Sequence, residues 1–117
     1  MIARTWHGYT SIEKAFQYEN LFRRDVLSGL ERITGFKGAQ LLRKNYPNEV
    51  EFITIIYFDN VAAVIAFAGE DYAKAVIPKE IGEVLAHFDE RVIHYDLVEI
   101  SITNDFIKQN LSIHNEK

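Results

Sequence analysis

The stretch that most constrains this chain is Phe52-Ile53-Thr54-Ile55-Ile56-Tyr57-Phe58, which is apolar at nearly every position. A strand with one wet face alternates apolar and polar residues, and this one does not. It predicts a strand from Val50 to Phe58 that is buried on both sides. Helices of the same chain can cover one side only. The other side needs a second cover.

The rest of the chain supplies the frame for that strand. Ile2 to Tyr9 reads as a first strand, rich in Ile, Thr, Trp and Tyr. Thr10 with Glu13 has the capping-box spacing. Ile12, Ala15, Phe16, Glu19, Phe22, Val26, Leu30 and Ile33 then recur at helical intervals, with Glu19 as the polar exception. Gly35 is placed to close that helix. Phe36 to Tyr46 is a second strand, ended by Pro47-Asn48. After the third strand, Asp59 or Asn60 caps a helix over Val61 to Phe67. Ala68 to Asp89, with Gly69, Pro78 and Gly82, reads as short helical turns. Arg91 to Ile100 is the predicted fourth strand, and Asn104 caps a short helix carrying Phe106, Ile107 and Leu111. The last few residues read as frayed.

The order β-α-β-β-α-β is the split pattern of ferredoxin-like α+β folds, a four-stranded antiparallel sheet with helices on one face. A chain of 117 residues has no element large enough to cover the open face, apart from the tail helix. A second copy of the same sheet, related by a two-fold axis, covers it most economically. The expectation is a homodimer, a dimeric α+β barrel. Residues 1–100 form the domain and 101–117 a helical tail.

Composition removes several classes of function. The net charge is −4 with no cluster of Lys and Arg, whereas nucleic acid needs a concentrated basic face. There are no cysteines, hence no disulfides, thiolate metal sites or cysteine nucleophiles. The N-terminus lacks the pattern of a signal peptide. The apolar runs fall well short of the roughly 20 residues of a membrane span. The expected location is the cytoplasm, without membrane or nucleic-acid partners.

Four segments resemble the antibiotic-biosynthesis monooxygenase (ABM) superfamily of dimeric α/β barrels. They are Met1-Ile2-Ala3-Arg4-Thr5-Trp6-His7-Gly8, Gly35-Phe36-Lys37-Gly38, Ala66-Phe67-Ala68-Gly69-Glu70-Asp71 and Val92-Ile93-His94-Tyr95-Asp96-Leu97-Val98. They occur in the superfamily's order and span about residues 1–100. The resemblance implies either oxygen chemistry on aromatic quinols without a cofactor, haem degradation, or no reaction at all. Haem-degrading members place a tryptophan where this chain has Phe67, a ligating histidine where it has Ile77, and an asparagine at or near Thr5. These departures argue against haem, and no cofactor or metal is expected. Cofactor-free members also favour tryptophan near Phe67, followed by a tyrosine that Tyr72 can match.

His7 and His94 are the candidate catalytic pair. First and fourth strands are neighbours in this topology, so the two imidazoles can share a face and act as general base. Alternatively each is a half-buried polar residue satisfied by backbone or water. Trp6, Phe67, Tyr72, Phe88 and Tyr95 are candidates to line an aromatic pocket, with core packing the competing account of Phe67 and Phe88. Arg4 or Arg43 can bind an anionic substituent or form an ion pair. The leading expectation is a cofactor-independent monooxygenase acting on a small aromatic or quinone-like metabolite. The alternatives are a non-catalytic binding or stress-response dimer, or an isomerase or lyase using the same pocket.

Overall fold

The computed structural model describes residues 1–111. The frayed end expected from the sequence lies in residues 112–117, outside them. Five strands and five short α-helical segments follow in the order β1 (Ile2–Thr10), α1 (Ala15–Leu21), a π-helical turn (Phe22–Leu27), α2 (Ser28–Leu30), β2 (Phe36–Asn45), β3 (Val50–Phe58), α3 (Val61–Ala68), α4 (Lys79–Val84), β4 (His87–Phe88), β5 (Ile93–Asp96) and α5 (Asn104–Asn110).

The antiparallel sheet has the order β2-β3-β1, with β4 and β5 both lying along the free edge of β1. This is the ferredoxin-like arrangement expected from the element order. β1 and β3 pair along their whole length, from Ile2 opposite Phe58 to Thr10 opposite Val50. The predicted fourth strand is corrected. It starts at Ile93 as β5, Arg91 being bridged to Lys74 instead, and a short β4 at His87–Phe88 forms in the stretch expected to be helical turns. β5 also ends at Asp96 rather than Ile100.

Burial along β3 alternates strictly. Val50, Phe52, Thr54, Ile56 and Phe58 are buried beneath the helices, while Glu51, Ile53, Ile55 and Tyr57 are only half-buried. The composition hid this alternation, because both faces are apolar. On the second face, Leu42 of β2 stays 45% exposed, and Ile93 and Tyr95 of β5 stay 57% and 54% exposed. These residues extend the Ile53, Ile55 and Tyr57 patch across the sheet.

The first helix differs from its predicted phase. Thr10 does not cap it. The residue is the last of β1, buried, and its hydroxyl donates to the Ser11 carbonyl. α1, the π turn and α2 stay in helical dihedrals through every join. The π turn adds a fraction of a residue per turn and rotates the buried stripe. Ile12 and Phe16 therefore face outward at 50% and 67% exposure, while Tyr18 is fully buried in their place. Gly35 ends this unit at φ +96°, and a Cβ there would sit 2.7 Å from that of Ala63. Only glycine meets both conditions. Asn60 rather than Asp59 caps α3, its side-chain oxygen accepting from the Ala63 N–H at 3.0 Å.

The core divides into two clusters. Ala15, Tyr18, Leu21, Val50, Phe52, Ile81 and Val84 form one, and Leu30, Ile56, Phe58, Ala63 and Val64 the other. Thr54 stands between them on β3, a small residue where its neighbours are Phe52 and Ile56. No described helix is long and apolar enough to cross a membrane.

Candidate functional site

A cleft opens where the two clusters part, over Thr54. Its floor is Arg4, Trp6, Thr54 and Ile56 of the sheet, with Tyr18, Phe22 and Val26 on one side and Phe67, Val76, Pro78, Ile81 and Val92 around the rest. The π turn contributes both Phe22 and Val26, in keeping with the habit of such turns to occur at functional sites. The atom-free space, open mouth included, is about 450 Å³. The cavity itself is only about 40 Å³, room for a few waters. It is a narrow slot. The Val76 to Pro78 wall has no regular structure.

Arg4 is the one cationic side chain in this lining, and it is 3% exposed. Nη1 donates to the Tyr72 carbonyl and to Nε2 of His94 at 3.1 Å, and Nη2 to the Lys74 carbonyl at 3.0 Å. The guanidinium carbon lies 5.3 Å from the centre of the Phe67 ring. Every one of these partners is neutral or dipolar. No carboxylate pairs with Arg4 among the described residues. Burial accordingly lowers its pKa from 12.5 to about 10. That corresponds to roughly 3 kcal/mol of desolvation left uncompensated.

His94 is tied to this group. A guanidinium only donates, so Nε2 must be the unprotonated nitrogen and Nδ1 carries the hydrogen. Burial, and secondarily the Arg4 charge, push its pKa below the ordinary value. The Tyr72 ring meets the imidazole edge-on at 5.4 Å.

The expected histidine pair does not form. In the β1–β5 register His94 lies opposite Arg4 and Ile93 opposite Thr5. His7 is three residues beyond Arg4, an odd step, so its side chain leaves the other face of the sheet. There Nδ1 meets Glu51 Oε2 at 2.7 Å, and the Tyr9 and Tyr46 hydroxyls donate to the same carboxylate. His7, first of these partners, holds the Glu51 carboxyl below its usual range.

Of the candidate residues, Arg4, Trp6 and Phe67 line the cleft. His94 and Tyr72 stand directly behind Arg4. Phe88 packs against Trp6 at 5.9 Å and borders a separate hollow. Tyr95 points to the opposite face with His7 and lines no part of the cleft. Arg43 pairs with Glu19 at 2.6 Å, as the ion-pair alternative has it. Tyr18, Phe22, Val26 and Thr54 were not read from the sequence as site residues. Thr54 carried the only signal, as the polar interruption of an apolar strand.

Gly8 positions Trp6. A Cβ at Gly8 would lie 2.8 Å from the far edge of the indole and 3.2 Å from Leu85, and the indole N–H is fixed by the Asp89 carbonyl at 2.6 Å. Gly8→Ala is expected to push the ring into the cleft and to cost about 1–3 kcal/mol. Trp6 is the only tryptophan, so a shifted emission maximum in the folded variant reads its displacement directly. An unchanged spectrum would show that the ring does not rest on Gly8.

No family model matches the chain, and no curated protein is detectably similar in sequence. Solved structures are similar in fold. A Bacillus cereus protein provisionally described as an antibiotic biosynthesis monooxygenase superposes with a TM-score of 0.57 at 12% identity, over 87% of this chain and 97% of its own. The heme-degrader MhuD from Mycobacterium tuberculosis, with two hemes bound in its active site, gives 0.58 at 17%, over 86% and 99%. A mutant of MhuD with two manganese protoporphyrin IX bound per active site gives 0.62 at 17%, over 88% and 100%. The chain shares the fold of these three structures.

Proposed function

We propose that the chain is a cytoplasmic homodimer of the ABM kind, acting as a cofactor-independent monooxygenase on a small aromatic or quinone-like metabolite. The observation that carries the reading is the apolar, ring-walled cleft with a buried cation at its floor. Trp6 and Phe67 would flank a planar ring. Arg4 would stabilise the anion of a bound hydroxyl, and an electron-rich anion of that type reacts with dioxygen itself. The substrate supplies the electrons, one oxygen atom stays on the ring and the other leaves as water. His94 would serve as base only after Arg4 releases Nε2, so Arg4 is the better candidate for the group that favours ionisation.

Haem fits the residues poorly. The histidine beside the cleft has Nε2 engaged by Arg4. Ile77, at the position where the resemblance expects a ligand, is an apolar side chain packed against the core.

Oxygen consumption with a panel of anthrols and naphthoquinols tests the proposal, uptake being expected for at least one. A folded dimer that consumes none of them would overturn it. The engaged Nε2 of His94 also favours a second reading, a binding dimer without chemistry. That reading predicts ligand capture with no turnover, aerobic or anaerobic.

A further inference from the structure

The charge state of the ligand can be taken further, on the reading that the cleft is the binding site. A guanidinium has five N–H groups. Three are used on Tyr72, Lys74 and His94, which leaves Nε–H and one hydrogen of Nη2 without a described acceptor. Among the described residues no fully enclosed side-chain nitrogen or oxygen lacks a partner. Nε is therefore not fully enclosed, and Arg4 lines the cleft. Nε and Nη2 form the side-on edge of the guanidinium, whose spacing suits an oxyanion. The rest of the lining is apolar apart from the Tyr18 and Thr54 hydroxyls.

A buried cation with neutral partners and an unused edge is half of an ion pair. The second half has to come from outside the chain, because no described carboxylate is within reach. We infer that the cleft binds an acidic aromatic, a ring-sized apolar body bearing one carboxylate or ionised hydroxyl that docks on the free edge of Arg4. A neutral ligand of the same shape would bury the cation further without compensating it. Discrimination then comes from electrostatics, and shape alone would not provide it.

Calorimetric titration of the full chain at pH 8 tests this with two matched pairs. One is 2-naphthoate against 2-naphthamide, and the other is 4-nitrophenolate against 4-nitroanisole. The anion should bind at least tenfold tighter than its neutral partner in one pair or both, and the pair that responds identifies the group as carboxylate or ionised hydroxyl. Equal binding within both pairs, or no binding of any probe, overturns the inference. Arg4→Lys keeps the charge but loses the side-on edge, and in a variant with an unchanged circular dichroism spectrum it should weaken the preferred anion about tenfold. Full retention of affinity in that variant also overturns the inference. Oxygen uptake on neutral quinols without any preference for acids would leave the oxygenase reading standing and remove this one. Tight naphthoate binding without oxygen uptake would do the reverse.

Discussion

Replacing Ile55 by lysine is expected to yield aggregated or unfolded chain in place of a clean monomer. Ile55 lies at the centre of the open sheet face, flanked by Ile53 and Tyr57 on its own strand, opposite Thr5 on β1 and Gln40 on β2. Leu42, Ile93 and Tyr95 continue the patch and stay about half exposed in a single chain. Completing the burial of these six side chains would contribute roughly 1 kcal/mol each, and a two-fold interface counts them twice. The upper bound is on the order of 10 kcal/mol, comparable to the net stability of a domain. A lysine at this centre would lose most of that and add a desolvated charge. Light scattering should give twice 13.6 kDa for the unmodified chain and no folded species for the variant. A long-lived 13.6 kDa monomer of the unmodified chain at micromolar concentration would refute the proposed dimer.

How far the sequence was readable depends on how local the determining physics is. β1, β2 and β3 follow from strand composition and from breakers at Gly35 and Pro47, all within a few residues. One face of β3 is buried as expected, while the second apolar face is only half-buried in the single chain. The helix phase does not follow. A single 3.6-residue period assigns Phe16 inward and overlooks Tyr18, whereas the π turn shifts the stripe, and nothing in Phe22–Leu27 announces that turn. The late start of the fourth strand goes with pairing between Lys74 and Arg91, seventeen residues apart (a tertiary contact without a local signature).

The site was legible in part for the same reason. Arg4, Trp6 and Phe67 were identifiable by type, as a cation and two rings on elements that frame a cleft. The His7–His94 pairing failed on parity. Strand adjacency follows from topology, but which residues share a face depends on register, and a shift of one residue reverses every side chain. The role of Arg4 as a cation without a counter-charge is a statement about missing partners. It becomes visible only once every neighbour is known.

The second large effect is expected at Arg4 itself. Arg4→Met keeps an unbranched apolar stem, two heavy atoms shorter, and removes the charge, so roughly 3 kcal/mol of unfavourable desolvation disappears. Against that, the Tyr72 and Lys74 carbonyls and His94 Nε2 lose a charged donor, and hydrogen bonds of this kind contribute about 1.5–3 kcal/mol each. The loss exceeds the gain, and a net destabilisation of about 2–5 kcal/mol is expected in urea unfolding. The carbonyls also hold the 72–74 segment, which pairs in turn with the 90–92 stretch, so that edge should exchange its amides faster. His94 supplies an independent readout. Its pKa lies below the ordinary 6.5, chiefly from burial and then from the Arg4 charge. A base with a lowered folded pKa takes up its proton more readily in the unfolded chain. It therefore costs the unmodified protein stability as pH falls from about 6.5 toward the folded value, and contributes nothing above that window. In Arg4→Met the charge is gone and Nε2 is free, so the imidazole should titrate closer to 6.5 while burial still holds it somewhat below. The urea midpoint should then fall less between pH 7.5 and pH 5.5 in the variant than in the parent, and the His94 ring resonance should move at higher pH. An identical pH dependence in the two proteins, with an unshifted resonance, would show that Arg4 does not govern the protonation of His94.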